Sequence, residues 1–145
     1  MKKVLFICTA NYFRSRFAEL LFNDLARKQR LQWEADSRGI ALGRGIPIIG
    51  AISWFTIIKL QSNGVILPKE QRNPIQVNND DFQNADIIIA MNEAEHRPLI
   101  LKRFPEWVDK VEYWNIRDSH QGLPNITLRK LENNIIQLIE RLTNS

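Results

Sequence analysis

Four apolar residues in a row, Val4-Leu5-Phe6-Ile7, run directly into Cys8, and beyond Thr9-Ala10-Asn11-Tyr12-Phe13 the apolar side chains recur at helical spacing, at Phe17, Leu20, Leu21 and Leu25. A short unbroken apolar run fits a strand covered on both faces, whereas a spacing of three and four fits one face of a helix. Residues 8 to 14 therefore form the loop between the carboxyl end of a buried strand and the first turn of a helix. A strand of that kind needs sheet neighbours on either side and helices packed over it.

The remainder of the chain repeats the alternation. Strands are expected at 3–8, 33–38, 85–91 and 109–114, and helices at 14–30, about 47–62, 93–103 and 126–143, with a loop or short strand near 65–78. The last helix is the clearest, since Leu128, Leu131, Ile135, Leu138, Ile139 and Leu142 fall on one face. This order predicts an α/β fold: a four-stranded, twisted parallel sheet with helices on both faces. At 145 residues and 44% hydrophobic content there is material for one domain, residues 1–145, and too little for two. No repeat, linker or low-complexity segment interrupts it.

Placed between strand and helix, the loop 8–14 is suited to holding a phosphate. Its backbone N–H groups turn inward and the positive end of the helix dipole adds to them. A cysteine at that spot ionises readily and becomes a nucleophile aimed at the bound anion. Arg14 supplies a planar fork for two phosphate oxygens. The Ser15 hydroxyl can donate to the thiolate, and Asn11 tolerates left-handed backbone and can brace a tight turn. Thr9, Ala10, Asn11, Tyr12, Phe13, Arg14 and Ser15 thus line the expected phosphate cradle, with Phe13 assigned to packing and Tyr12 to either packing or substrate contact. The competing reading makes Cys8 a small buried hydrophobe and Arg14 a solvated first-turn residue.

Composition narrows the partners. A net charge of +4 and a pI near 9.5 invite a nucleic-acid reading, but the Lys and Arg are scattered and no aromatic-basic motif accompanies them, so no nucleic-acid partner is expected. The residual positive potential suits phosphorylated substrates. The basic and apolar start, Met1-Lys2-Lys3 then Val4 to Ala10, is too short for a secretory signal and passes straight into Asn11 and Arg14. With a single cysteine no internal disulfide framework exists, and a cytoplasmic location is expected. The segment 47–62 is apolar around most of its circumference, with Lys59 its only charge; it is too short to span a bilayer and reads either as a core helix or as a surface for a homodimer or partner. His96, beside Glu95, is assigned to a helix surface without a role.

The run Cys8-x5-Arg14-Ser15 near the N-terminus resembles the active-site loop of the low-molecular-weight protein tyrosine phosphatases. Asp36-Ser37-Arg38-Gly39-Ile40, Ala85-Asp86-Ile87-Ile88-Ile89-Ala90-Met91-Asn92 and Arg103-Phe104-Pro105-Glu106 are similar to further segments of that family, so the resemblance spans nearly the whole chain. It implies that family's fold, a metal-independent and cofactor-free phosphotyrosine or phosphomonoester hydrolase acting through a phosphocysteine on Cys8, and a phosphorylated protein or small phosphomonoester as substrate. Asp118, after a strand and before the last helix, is the candidate general acid and then base. Asn11, Ser15 and Ser37 take the family's loop-supporting places, and Leu42, Arg44 and His120 fall on the pocket rim.

Several departures are visible. Ala10 stands for glycine before Asn11, Ser119 for the proline after the acid, and Phe13 for a second loop cysteine; Asn92 replaces aspartate, and residues 64–78 hold no histidine to buttress the loop. They keep two alternatives open: an arsenate reductase relying on an external thiol, and a phosphate-binding module with little turnover. A phosphocysteine carrier is disfavoured by Arg14 and Asp118.

Overall fold

The structure, a computed structural model, describes residues 1–43, 50–118 and 123–145. The chain forms β1 (Lys2–Cys8), α1 (Arg14–Lys28), β2 (Trp33–Gly39), α2 (Trp54–Ser62), α3 (Asn79–Asn84), β3 (Ile87–Ala90), α4 (Glu93–Arg103), a 3-10 turn at Val108–Lys110, β4 (Glu112–Tyr113) and α5 (Pro124–Thr143). The strands pair in the order β2-β1-β3-β4, every pair parallel. Alternation along β1 sorts the core into two layers. Val4, Phe6 and Cys8 pack with Phe17, Phe22, Leu131, Ile135 and Leu138 of α1 and α5, while Leu5 and Ile7 pack with Phe82 and Ile100 of α3 and α4. Each fully buried Phe, Leu or Ile in these layers contributes about 1.5–3 kcal/mol.

The expected α/β architecture, a four-stranded parallel sheet covered on both faces, is the observed one. The differences are local. Residues 50–53 are not helical: Gly50 has φ +79, Ser53 holds the N-cap position at ψ 135 without a side-chain hydrogen bond, and α2 starts at Trp54. Arg44 to Ile49 lie outside the described residues. The helix is not apolar-buried all round either, because Leu60 enters the core while Trp54, Phe55 and Ile58 remain exposed. α3 was not expected; a capping box, in which Asn78 and Asp81 satisfy each other's backbone N–H groups, starts it. α1 stops at Lys28 because Arg30 turns left-handed, at φ 54, and α5 starts at Pro124, whose fixed φ suits a first helical position. Among the described residues no helix is long and apolar enough to cross a membrane.

This topology sets where chemistry can occur. From β1 the chain moves to β2 on one side, then returns to β3 on the other, so the loops leaving β1 and β3 diverge at their carboxyl ends. Open α/β sheets bind ligands in that crevice.

Candidate active site

β1 delivers Cys8 to the crevice, and the neighbouring strand holds the loop that follows. Ile40 N–H donates to the Cys8 carbonyl at 2.9 Å and Ala41 N–H to that of Thr9 at 3.0 Å. Gly39, paired with Cys8 in register, lies so close that a Cβ there would meet Thr9 O at 2.7 Å and Asn11 N at 3.1 Å. The loop then turns through Asn11, which is fully buried and left-handed at φ 52. Asn11 satisfies all four of its side-chain hydrogen bonds. Its Nδ2 donates to Ser15 Oγ and Ser37 Oγ, each at 2.9 Å, and its Oδ1 accepts from Arg72 Nη1 at 2.9 Å and Ile75 N at 3.0 Å. Ser15 Oγ, which accepts from Asn11, lies 2.9 Å from Cys8 Sγ; either atom can donate while the sulfur is a thiol, and once it is a thiolate only the Ser15 proton can bridge the two. Toward a thiolate, a relay from Asn11 through Ser15 ends as a hydrogen bond onto the sulfur.

Behind that relay stands a charged brace. Arg72 Nη2 reaches Ser37 O, Ser37 Oγ and Glu19 Oε1 within 3.1 Å, and Ser37 Oγ donates to Glu19 at 2.5 Å. Burial raises the Glu19 carboxyl, and the Ser37 and Arg72 contacts oppose that rise only in part. The histidine missing from residues 64–78 is thus replaced by Arg72, which the sequence did not single out. Its spacing from Asn11 and Glu19 carries no local pattern that would have revealed it.

Arg14 begins α1, a helix whose first turn has no side-chain cap and no acidic residue. The side chain is buried. Nη1 donates to Ile116 O at 3.0 Å, Nη2 lies 2.6 Å from Glu95 Oε2 and 3.5 Å from Asp118 Oδ2, and Nε has no partner among the described residues. A fully buried guanidinium N–H without an acceptor is a donor waiting for a ligand. Asp118 therefore does arrive beside Arg14, carried by the segment after β4, whose Ile116 N–H is tied to Met91 O.

Glu95 and His96 were expected on a helix surface, and this is corrected. His96 is fully buried. Its Nδ1 accepts from Asn92 N, which leaves the imidazole proton on Nε2, 3.0 Å from Thr9 Oγ1 and 2.8 Å from Glu95 Oε2. Burial lowers the His96 pKa, opposed by Glu95. For Glu95, burial would raise the carboxyl, but the His96 N–H and the Arg14 charge outweigh it and hold the pKa at about 2. Asn92, where aspartate was expected, caps α4 by accepting from Glu95 N at 3.0 Å. That cap, two residues after the strand, is the one local signal that turns Glu95 and His96 toward the crevice.

Ala10 adopts no positive φ, so a methyl group is accommodated there. Tyr12 is half-buried against the core, and Phe13 is buried, its carbonyl accepting from Thr56 Oγ1. Leu42 is half-buried, with its N–H bonded to Gln76 Oε1. The rim residues Arg44 and His120, and Ser119, lie outside the described residues. What the described residues bring together is a hydrogen-bonded thiol, a half-satisfied guanidinium and two carboxylates around an uncapped helix start, the components needed to bind a phosphate and attack it.

A profile of the family described as low molecular weight phosphotyrosine protein phosphatase matches residues 3–145. The chain belongs to this family. Among its phosphatase relatives, the Gallus gallus low molecular weight phosphotyrosine protein phosphatase is 30% identical over 104 residues, 68% of this chain and 60% of that protein. This chain therefore aligns with about three fifths of the length of the chicken relative. The protein-arginine-phosphatase of Bacillus subtilis (strain 168) is 28% identical over 74% of this chain and 67% of that protein. Of solved phosphatase structures, the low molecular weight protein tyrosine phosphatase from T. tengcongensis superposes with a TM-score of 0.80 at 25% identity, covering 97% of this chain and 99% of that one. An arginine phosphatase from Geobacillus stearothermophilus superposes with a TM-score of 0.77 at 25% identity, covering 99% and 94%.

Proposed function

We propose that this protein hydrolyses phosphotyrosine and related phosphomonoesters through a phosphocysteine on Cys8. The observation that carries the reading is the sulfur itself: Cys8 Sγ lies 2.9 Å from the Ser15 hydroxyl in the loop that opens α1 and ends at Arg14. The thiolate attacks phosphorus in line, forming an S–P bond as the P–O bond to the leaving phenoxide breaks. Arg14 and the loop amides stabilise the charge on the three equatorial oxygens. Asp118 gives its proton to the phenoxide. In the second step the Asp118 carboxylate takes a proton from water, the hydroxide attacks phosphorus, and the S–P bond breaks to release phosphate and restore the thiolate and acid. No step calls on a metal ion.

Hydrolysis of p-nitrophenyl phosphate in the presence of a chelator tests this. Cys8→Ser is expected to abolish turnover while phosphate binding is retained, because a hydroxyl in this loop is a far poorer nucleophile than a thiolate. Turnover unchanged in that variant overturns the reading.

A second reading, hydrolysis of phosphoarginine, is favoured by one feature. Glu95 and Asp118 both lie within 3.5 Å of Arg14 Nη2, so the site holds two carboxylates that attract a cationic guanidinium leaving group more than a neutral phenol. The similarity to arginine phosphatases gives it further support. The ratio of kcat/KM for phosphoarginine and phosphotyrosine peptides of matched sequence separates the two.

A further inference from the structure

Glu95 stands out because a phosphate site ordinarily gathers positive charge, and here a carboxylate lies 2.6 Å from the buried arginine that receives the phosphate. Its Oε2 is fully buried, 2.6 Å from Arg14 Nη2 and 2.8 Å from His96 Nε2. The contact with Arg14 is one of opposite charges. Arg14 does not need Glu95 for orientation, since Nη1 is fixed by Ile116 O and the stem is enclosed. The carboxylate also cannot easily leave. Its backbone N–H is held by the Asn92 cap, its neighbour His96 is fixed between Asn92 N and Thr9 Oγ1, and with its pKa held at about 2 it is charged at neutral pH. When a phosphate dianion enters, Nε and the free directions of Nη2 take up its oxygens, while the Glu95 charge remains a few ångströms away.

We propose that Glu95 is a built-in counter-anion that opposes phosphate at Arg14, a positioning residue that weakens the site's hold on substrate and product by its charge. The inference rests on the phosphatase reading and goes beyond it by assigning Glu95 a role in how tightly the anion is held. At a separation of a few ångströms in a partly buried site, one unit charge against a dianion corresponds to a change in phosphate affinity of about tenfold or more. The consequence for the reaction is easier release of inorganic phosphate at the end of each cycle.

The test measures binding of inorganic phosphate by calorimetry at low ionic strength in the Cys8→Ser protein, with and without Glu95→Gln, and with Glu95→Ala as a second route to the same loss of charge. Both substitutions are expected to tighten phosphate binding about tenfold, with the gain shrinking as salt is raised, and Glu95→Gln in the active enzyme should lower KM for p-nitrophenyl phosphate without raising kcat. A purely structural role for Glu95 loosens binding on substitution, so unchanged or weaker binding in the Gln variant overturns the proposal. Absence of phosphate binding in every variant, Cys8→Ser alone included, overturns the phosphatase reading and this inference with it.

Discussion

Gly39→Ala puts the link between sheet and loop under direct strain. The position is part of a regular strand without positive φ, so alanine is acceptable to its own backbone. The difficulty is entirely in what the new methyl meets: Thr9 O at 2.7 Å, Asn11 N at 3.1 Å and Ala10 C at 3.2 Å, all of them backbone atoms of the phosphate loop. Gly39 cannot retreat, because its N–H donates to Ile75 O at 2.8 Å and its carbonyl accepts from Val77 N at 2.9 Å, while the next residue is tied to Cys8 O. The loop must move instead, by about half an ångström, and overpacking of this kind typically costs about 1–3 kcal/mol. A shift of that size at a nucleophile and its anion donors lowers the rate by about tenfold to a hundredfold. Urea unfolding and kcat/KM for p-nitrophenyl phosphate measure both consequences on one protein. A folded Gly39→Ala enzyme with kcat/KM within twofold of the parent refutes the reasoning, since it would mean that the loop geometry is not set by its approach to β2.

Replacing Arg72 by Met removes the bonds to Asn11, Ser37 and Glu19 together and leaves Glu19 without its cation; a loss of about 2 kcal/mol in stability, discounted for the partial exposure of Arg72, and at least about tenfold in kcat/KM is expected from thermal melts and kinetics, with Arg72→Lys recovering charge but not the fork. The Glu95 carboxyl falls from an ordinary 4.5 to about 2 on folding, so its contribution to stability is fully present above 4.5 and is lost as pH drops toward 2; urea titrations at descending pH should show the Glu95→Gln protein losing less stability across that window than the parent, and parallel curves would refute this. Asp118→Asn should slow aryl phosphates with poor leaving groups far more than p-nitrophenyl phosphate, whose phenoxide departs with little help, and an equal loss on both would make Asp118 structural.

What could be read in advance follows from how local each cause is. The strand-loop-helix of residues 4–25 was legible because its signals are the apolar run, the helical spacing and the loop between them, all within one stretch of chain. The start of α5 two residues before its expected place and the whole of α3 differ from expectation, although Pro124 and the Asn78–Asp81 capping box that set them are local too. The segment 47–62 differs for another reason: a dense apolar composition suggests continuous helix, but of its described residues Gly50 to Ser53 lie outside α2, and three apolar side chains of the helix face outward. Asn11 and Ser15 could be nominated because they are four residues apart on the loop itself. Arg72 and Glu95 could not, because what gives each its place is a contact far away in sequence, through the sheet topology that brings the carboxyl ends of β1, β2 and β3 together.

That topology also bears on the alternative of a phosphate-binding module with little turnover. Two of its grounds were Ala10 in place of glycine and the want of a mid-chain histidine. Ala10 adopts no positive φ, so the loop does not need glycine there. Arg72 occupies the buttressing place with more hydrogen bonds than an imidazole can make, gripping Asn11, Ser37 and Glu19 at once. The first ground falls because Ala10 needs no positive φ and the second because Arg72 compensates for it, which leaves a braced loop with a hydroxyl 2.9 Å from its sulfur and an arginine N–H without an acceptor among the described residues. Hydrolysis needs a proton donor beside the bound anion, and Asp118, 3.5 Å from that arginine on the segment after β4, is the carboxylate proposed for it. The remaining ground, Ser119 after the acid, lies outside the described residues, and the leaving-group dependence of Asp118→Asn is the measurement that decides it.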